Sequence, residues 1–426
     1  MRISIQSIVR FLVFGVVWGA AVPLPAADWP QWRGPARDGK SAETRVIKGG
    51  WDRQPPKLLW MGTGLGAGYA SVAVVGDRIY TTGDLAGGQG VVAVNAKDGK
   101  VIWATPVTDG PPKHSFAGAR CTPTVEGGLL WVTASNGMIA CLDTTGKVVW
   151  KKDFKEEWGG RMMSGWGFAE SVLLDGEAVV CTPGSPDAMM VKLDKKTGAE
   201  IWKCAVPEFG EGKGKDGAGY GSAVISNAAG VKQYVQITGR GLIGVRAADG
   251  KFLWGYDRAA NSTANISTPV VAGDHVFCST AYGAGSGLVK LSKDGDGVKM
   301  EEVYFIGPNK LQNHHGGMVL VDGHIFCGHR QNGGDPVCVD IRTGELKWGP
   351  EKPPGKGSAA VTYVDGHLIF RYQDGTLALV KADPKAFKLL GTFKPEYQEK
   401  ESWAHPVVSG GRLYLREQDK LMCYQL

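Results

Sequence analysis

The chain has 426 residues, of which 43% are hydrophobic and 21% are charged, and this composition excludes an intrinsically disordered protein. The net charge of +6, from 48 basic and 42 acidic residues, is too small to predict a nucleic-acid-binding protein. The 63 glycines are roughly twice the usual share of about 7% and follow no three-residue period, so they exclude collagen and predict many tight turns.

The first 27 residues have the layout of a cleavable secretory signal. Arg2 and Arg10 precede an apolar run over residues 11–21, and small residues and prolines follow up to Ala27. That run is too short to span a membrane, no later stretch predicts a membrane helix, and no cysteine near the cleavage region predicts a lipid anchor. We therefore expect a soluble protein of the periplasm or extracellular space, with a net charge of about +4 after cleavage.

A repeat occupies most of the remaining chain. Five segments place a glycine four residues before a tryptophan, and each has the pattern of two strands joined by a tight turn. The last interval between tryptophans is twice as long as a single period, which predicts a substituted ring near Tyr304. The segments end at Trp103, Trp150, Trp202, Trp254 and Trp348.

A second strand pair precedes each segment, so every period of roughly 50 residues holds four strands, which is typical of β-propeller blades. The last blade lacks its outermost strand, and residues 57–60 (KLLW) have the pattern of the missing one. We therefore predict an all-β, eight-bladed propeller of four-stranded antiparallel blades over residues 51–426. The N-terminal strand closes the ring by pairing with the C-terminal blade, and residues 28–50 form an N-terminal extension.

Residues 34–41 (GPARDGKS) match the phosphate-loop pattern letter for letter. A phosphate loop follows a buried strand and opens a helix, whereas this segment follows the predicted signal sequence and leads into a polar stretch. We therefore do not interpret it as a nucleotide-binding site.

Polar and aromatic residues recur just before or at the first strand of successive periods. First strands line the axis of a propeller, so these side chains are expected to converge on one channel mouth, either to bind a polar or anionic ligand or to seal the channel by hydrogen-bonding to one another. The candidate ligand-binding residues are Tyr69, Arg120, Trp166, Glu170, Tyr220, Asn265, His314, His315, Lys356, Trp403 and His405.

The adjacent pair His314 and His315 is a weak candidate for a metal site. In an extended strand the two side chains point to opposite faces and cannot share one ion, although a loop conformation would remove this objection. We predict no metal site. Among the eight cysteines, Cys327 and Cys338 are equidistant from a turn at residues 332–333, so a disulfide between neighbouring strands is one hypothesis for this pair.

The segments ACLDTTGKVVW and VKLDKKTGAEIW resemble the blade repeat of the pyrroloquinoline-quinone (PQQ)-like propellers, over essentially all of residues 51–426. The opening DWPQWRGPARDGKS and the segments RCTPTVEG, QNHHGGMVLVDG and GKGSA resemble an exported bacterial branch of that family, often labelled BamB-like. The resemblance implies the propeller fold and leaves the activity open.

Two functions follow from the resemblance. Quinone-dependent alcohol dehydrogenases of the family hold PQQ and calcium on the axis, with an acidic base and a disulfide between adjacent cysteines. This chain has no adjacent cysteine pair and no assignable calcium ligand set, so no catalytic residue is carried over. Our interpretation is a monomeric, non-catalytic protein without a cofactor that binds a small polar ligand or a protein partner at the channel mouth. The alternative is a PQQ-dependent oxidoreductase.

Overall fold

The computed structural model describes residues 28–426, and the predicted signal sequence, residues 1–27, lies outside the described residues. The described chain forms eight four-stranded antiparallel sheets, which confirms the prediction of an all-β, eight-bladed propeller. Helix in this part of the chain is limited to α1 (Phe154–Trp158) and a 3-10 helix (Ala228–Gly230). Neither is long and apolar enough to cross a membrane.

Seven blades take four consecutive strands each, and the eighth combines strands from both ends of the described chain. The strands are β1 (Lys57–Thr63); β2–β5 in blade 1 (Ala73–Val75, Arg78–Leu85, Gly88–Asn95, Val101–Pro106); β6–β9 in blade 2 (Thr124–Glu126, Leu129–Thr133, Met138–Asp143, Val148–Asp153); β10–β13 in blade 3 (Leu173–Asp175, Ala178–Cys181, Met190–Asp194, Glu200–Cys204); β14–β17 in blade 4 (Val224–Ser226, Gln233–Thr238, Gly241–Arg246, Phe252–Tyr256); β18–β21 in blade 5 (Val270–Ala272, His275–Thr280, Gly285–Asp294, Gly297–Ile306); β22–β25 in blade 6 (Met318–Val321, His324–His329, Asp335–Asp340, Leu346–Trp348); β26–β29 in blade 7 (Ala359–Val364, His367–Tyr372, Leu377–Lys381, Leu389–Phe393); and β30–β32 in blade 8 (Val407–Ser409, Arg412–Glu417, Lys420–Gln425).

The repeated glycine and tryptophan join neighbouring blades. Trp103 at the outer edge of blade 1 packs on Gly146 in the last turn of blade 2, where an added Cβ would lie 2.8 Å from the ring. The indole Nε1 of Trp103 also donates a hydrogen bond to the carbonyl oxygen of Thr144 in that turn (3.1 Å). Tyr304 occupies the equivalent position between blades 5 and 6 and donates to Ile341 O (2.8 Å), which confirms the predicted ring substitution.

The ring closes through blade 8. Strand β1 pairs antiparallel with β32, with Lys57 opposite Gln425 and Thr63 opposite Lys420. The predicted pairing of residues 57–60 with the C-terminal blade is therefore confirmed. The hydrophobic core consists of layers between adjacent blades, such as the layer in which Tyr80 of blade 1 meets Leu130 of blade 2. Each fully buried side chain of this kind stabilises the fold by ~1.5–3 kcal/mol.

Residues 28–43, which we call the N-terminal plug, close one end of the central channel. Trp29 exchanges two backbone hydrogen bonds with Val74 of blade 1 (2.8 Å each), and Pro30 O accepts from Val125 N of blade 2 (2.9 Å). At the other end of the plug, Ser41 N donates to Tyr363 O of blade 7 (2.8 Å). The Glu43 carboxylate accepts from Gly411 N of blade 8 (2.7 Å).

Side chains of the plug reach the remaining blades. Arg37 donates to Val172 O and Ser171 O in blade 3 and to Ala223 O in blade 4, at 2.6–3.0 Å. Trp32 Nε1 donates to Thr268 Oγ1 at the start of blade 5 (3.1 Å), and Arg33 donates to Met318 O of blade 6. The plug thus contacts all eight blades. The phosphate-loop-like residues 34–41 belong to it and run through turns into a single bridge to blade 7.

The hypothesis of a disulfide between Cys327 and Cys338 is wrong. Both thiols are free and buried. The hairpin pairs His329 with Asp335, so Cys327 lies opposite Val337 and Cys338 lies opposite Phe326. This register differs by one residue from the symmetric one, and a shift of one residue sends the two side chains to opposite faces of the sheet.

Candidate functional site

A cavity of about 460 Å³ opens at the end of the channel opposite the plug, and we call it the mouth cavity. Residues that precede the first strands of seven blades line its walls, and Trp32 and Arg33 of the plug form its floor. The described lining residues are Trp32, Arg33, Tyr69, Phe116, Arg120, Trp166, Ala169, Ser171, Tyr220, Ser222, Ala264, Ile266, Ser267, Thr268, Tyr282, His314, His315, Gly317, Gln331, Asn332, Gln373, Glu401, Trp403 and His405.

Eight of the eleven predicted site residues line the mouth cavity. They come from blades that are far apart in the sequence, and the ring brings them together as the first-strand argument expected. These eight are Tyr69, Arg120, Trp166, Tyr220, His314, His315, Trp403 and His405.

The other three predicted residues lie outside the lining. Glu170 and Asn265 are each flanked by two lining residues, so the two-residue alternation of extended chain turns them away from the cavity. The Glu170 carboxylate accepts from Thr182 N (2.7 Å), and Asn265 is fully buried among backbone carbonyls. Lys356 lies in the loop before blade 7 and is exposed. Blade 7 contributes Gln373 to the lining instead.

Many of the lining residues that sequence reasoning missed, such as Phe116 and Glu401, lie in the same loops as the predicted ones, and the others fall into two groups. Tyr282, Gln331, Asn332 and Gln373 lie in turns between the second and third strands of their blades. In an antiparallel blade this turn returns to the side where the first strand begins, so the topology could have identified them. Trp32 and Arg33 lie in the opening segment DWPQWRGPARDGKS, whose lack of a hydrophobic period gave no indication of its place in the channel.

Aromatic rings surround the mouth cavity. Trp166 and Tyr220 from blades 3 and 4 pack with ring centroids 5.9 Å apart. Trp403, in the loop before blade 8, packs on Tyr69 (4.8 Å), Phe116 (5.0 Å) and His315 (5.1 Å), which lie in the loops before blades 1, 2 and 6. Such rings offer large apolar faces at low conformational cost, which suits binding of a small molecule.

Three histidines complete the wall and the floor. His314 and His315 lie in the loop before β22, so both face the cavity and their ring centroids are 4.2 Å apart. The His314 ring is held between Tyr282 Oη (2.9 Å) and Ser358 Oγ (2.8 Å), and His405 Nε2 donates to His315 O (3.2 Å). Trp32 packs on the His405 ring, with centroids 4.5 Å apart.

Burial keeps these histidines neutral at pH 7. It lowers the pKa of His314 to about 4 and the pKa of His405 to about 3. The pKa of His315 falls well below its ordinary value, first through burial and then through repulsion from His314 and His405 when those rings are protonated. The fixed charges of the lining are therefore the guanidiniums of Arg33 and Arg120 and the carboxylate of Glu401.

Both guanidiniums hold backbone carbonyl oxygens. Arg120 donates to Gly118 O, Ser115 O and Phe116 O (2.8–3.1 Å), which shapes the loop at the rim. Arg33 donates through Nη2 to Asp38 O (3.0 Å) and Met318 O. Its Nε and Nη1 have no hydrogen-bond partner among the described residues, although the side chain is buried.

A buried ion pair supports the loop that carries Glu401 and Trp403. Arg371 Nη2 and the Glu417 carboxylate are 2.9 Å apart, and both side chains are at most 1% exposed. The Glu417 carboxylate also accepts from Ser402 Oγ (2.6 Å) and Lys400 N (3.1 Å). The rim loop is therefore fixed from beneath.

The donor set of the mouth cavity does not fit a quinone held on calcium. Calcium requires several oxygen ligands, usually carboxylates, and Glu401 is the one carboxylate among the described lining residues. No group of three or more His, Cys, Asp or Glu side chains within residues 28–426 is placed to hold a metal ion. Burial raises the pKa of Glu170 to about 7, against the opposing hydrogen bonds from Thr182 and the charge of Arg37, but this carboxyl does not line the cavity.

Comparisons with known structures agree with the fold. BamB from Moraxella catarrhalis is 13% identical, with a TM-score of 0.60 over 87% of this chain and 98% of that chain. The quinohemoprotein alcohol dehydrogenase from Comamonas testosteroni is 13% identical, with a TM-score of 0.61 over 93% of this chain and 80% of its own. A europium-containing methanol dehydrogenase is 12% identical, with a TM-score of 0.52 over 91% and 89%. At these identities the likeness shows the fold alone.

No curated protein matches the sequence. The family model described as "Outer membrane protein assembly factor BamB" matches residues 48–153 and 88–349, which together span well over half of the chain. The blade repeat, the eight-bladed ring and this match agree. The chain therefore belongs to the PQQ-like, BamB-type family of β-propellers.

Proposed function

We propose that this protein is an exported, non-catalytic binding protein that takes a small polar ligand into the mouth cavity. The observation that carries the proposal is the convergence of lining side chains from all eight blades on one concave site of about 460 Å³. Sites of this size, with aromatic walls and a few polar groups, are typical of small-molecule binding. Protein partners usually dock on flat or protruding surfaces, whereas this site is a recess.

The titratable groups of the cavity support binding without catalysis. General acid–base catalysis works best with a group whose pKa lies near the operating pH. The pKa values of His314 and His405 are lowered by burial to about 4 and about 3, far from neutrality. Glu170, whose pKa is raised by burial to about 7, is bonded to Thr182 and Gln236 away from the cavity.

Equilibrium dialysis against a defined mixture of sugars, amino acids, organic acids and nucleosides tests the proposal. We expect the protein to enrich at least one compound, and Trp403→Ala to abolish the enrichment because it removes a wall of the cavity. Lys356→Ala is the matched control, since Lys356 is exposed and outside the lining. If the protein enriches no compound, or if Trp403→Ala enriches the same compound equally, the mouth cavity is not the binding site.

The second candidate is a PQQ-dependent oxidoreductase, the alternative that the resemblance of the blade repeat to the PQQ-like propellers implies. Reconstitution with PQQ and Ca²⁺, followed by a dye-linked alcohol oxidation assay, separates the two functions. The proposal expects no turnover above the protein-free control. Turnover that depends on both additives would overturn it.

A further inference from the structure

We propose that the ligand of the mouth cavity is a neutral, polyhydroxylated ring of the size of a mono- or disaccharide. This inference rests on the proposed function and adds the chemical class of the ligand. It follows from three properties of the cavity: several aromatic rings in its lining, unpaired hydrogen-bonding atoms of both kinds on lining side chains, and guanidinium groups that present no free fork.

The aromatic faces suit the apolar side of a sugar ring. Trp166 and Tyr220 lie in the loops before blades 3 and 4. Trp403 lies in the loop before blade 8, and its ring contacts Phe116 and His315 from the loops before blades 2 and 6. Trp32 adds a third half-buried indole at the floor. A pyranose presents several C–H bonds on each face, and the positive ends of these bonds pack against the negative faces of indole and phenol rings. The lining therefore offers several aromatic rings on which a sugar ring can pack.

The unpaired atoms suit hydroxyl groups. Trp403 Nε1 is a donor, Gln373 Oε1 is an acceptor, and His315 Nε2 serves as either according to the tautomer; all three are buried without a partner among the described residues. Arg33 Nε and Nη1 add two more unpaired donors. These atoms lie beneath the cavity surface, on side chains that line it, so a ligand reaches them only when those side chains rotate. A hydroxyl group supplies one donor and two acceptor sites, so it can then satisfy this mixture with its surplus of donors.

The charges argue against an anionic ligand. The Arg120 guanidinium donates hydrogen bonds to the backbone carbonyl oxygens of Ser115, Phe116 and Gly118. Arg33 Nη2 donates to the backbone carbonyl oxygens of Asp38 and Met318. Neither guanidinium therefore presents a fully free fork for the bidentate contact that carboxylates prefer. The Glu401 carboxylate on the same lining offsets one of these two positive charges, so the lining carries a net charge of only about +1 and no free guanidinium fork to hold an anion.

Titration calorimetry with glucose, galactose, N-acetylglucosamine, maltose and cellobiose tests this inference, with glucuronate and PQQ as anionic probes. We expect at least one neutral sugar to bind, with an affinity that is insensitive to added salt because no ion pair forms. Trp403→Phe keeps a ring but loses the Nε1 donor, so we expect about tenfold weaker binding, as for one lost hydrogen bond. Trp403→Ala should abolish binding.

Lys356→Ala should bind as the unmodified protein does, and circular dichroism of each variant verifies that it is folded. If only the anionic probes bind, or if the dialysis mixture yields a compound of another class, the sugar inference fails while the proposed binding function stands. If no compound binds in either experiment, both fail.

Discussion

Gly146 shows how one residue ties two blades together. Its φ of 95° lies in the left-handed region, and the ring of Trp103 from the preceding blade occupies the space where a Cβ would be. Gly127 in the same blade has a φ of 60° but has no atom within 4 Å of an added Cβ. Substitution of Gly127 therefore tests backbone strain alone, whereas substitution of Gly146 tests backbone strain together with the contact between blades.

We expect Gly127→Ala to lower the free energy of unfolding by about 1 kcal/mol, the cost of left-handed backbone with a side chain. Gly146→Ala should cost about 1–3 kcal/mol more, because Trp103 must also move. Chemical denaturation monitored by tryptophan fluorescence measures both values. Equal losses for the two variants would mean that the contact with Trp103 contributes nothing.

Protonation of buried histidines should make the fold sensitive to acid. Burial lowers the pKa of His405 to about 3 in the folded protein, against about 6.5 for an exposed histidine. Between these values the unfolded state binds more protons, so this contribution to stability is present above about pH 6.5 and is lost as the pH falls toward 3. The slope for one such residue is at most ~1.4 kcal/mol per pH unit.

His405→Gln removes this proton-binding group, so we expect the fall in thermal midpoint between pH 7 and pH 5 to become smaller than in the unmodified protein. His275→Gln, in blade 5 and outside the mouth cavity, is the control for the loss of a histidine as such. The readout is the difference between the thermal midpoints at pH 7 and pH 5. The midpoints themselves are less informative, because loss of the contact with Trp32 lowers stability at both pH values. An unchanged difference would contradict the assignment of His405 as a buried neutral group.

At the scale of elements, the N-terminal plug is the part of the molecule that the sequence did not predict. The strands were predictable because apolar alternation, turn glycines and a terminal ring recur in each period. Residues 28–43 have turns and single bridges without a period, and their hydrogen bonds join residues more than a hundred positions apart. Their place in the channel depends on the finished ring, which local patterns do not describe.

We expect Arg37→Ala to detach the plug in part. The substitution leaves the carbonyl oxygens of Ser171 and Ala223 without their side-chain donor in a buried place, whereas Val172 O keeps the hydrogen bond from Thr124 Oγ1 (2.8 Å). A buried polar group without a partner costs about 1–3 kcal/mol, so the total loss should be several kcal/mol. Limited proteolysis should then cut within residues 28–43 faster than in the unmodified protein. Arg45→Ala, at an exposed position, is the control, and equal cleavage rates would contradict this role of Arg37.

The whole molecule explains which site residues were predictable. Convergence of first-strand residues follows from the ring, and it identified Tyr69, Trp166 and Trp403 correctly as lining residues. The errors at Glu170 and Asn265 arose because the extended chain alternates, and the sequence alone did not establish which phase faces the axis. Blade 7 differs because its loop carries Lys356 outward. The repeat was thus sufficient to predict the architecture, whereas the structure was needed to show which residues of each first strand face the channel axis.

A crystal structure of the protein with the neutral sugar that binds most tightly in calorimetry would locate the binding site. We predict density for the sugar ring in the mouth cavity, in contact with the aromatic rings of its lining. Density for the sugar only on the outer strands, with solvent alone in the mouth cavity, would contradict the account.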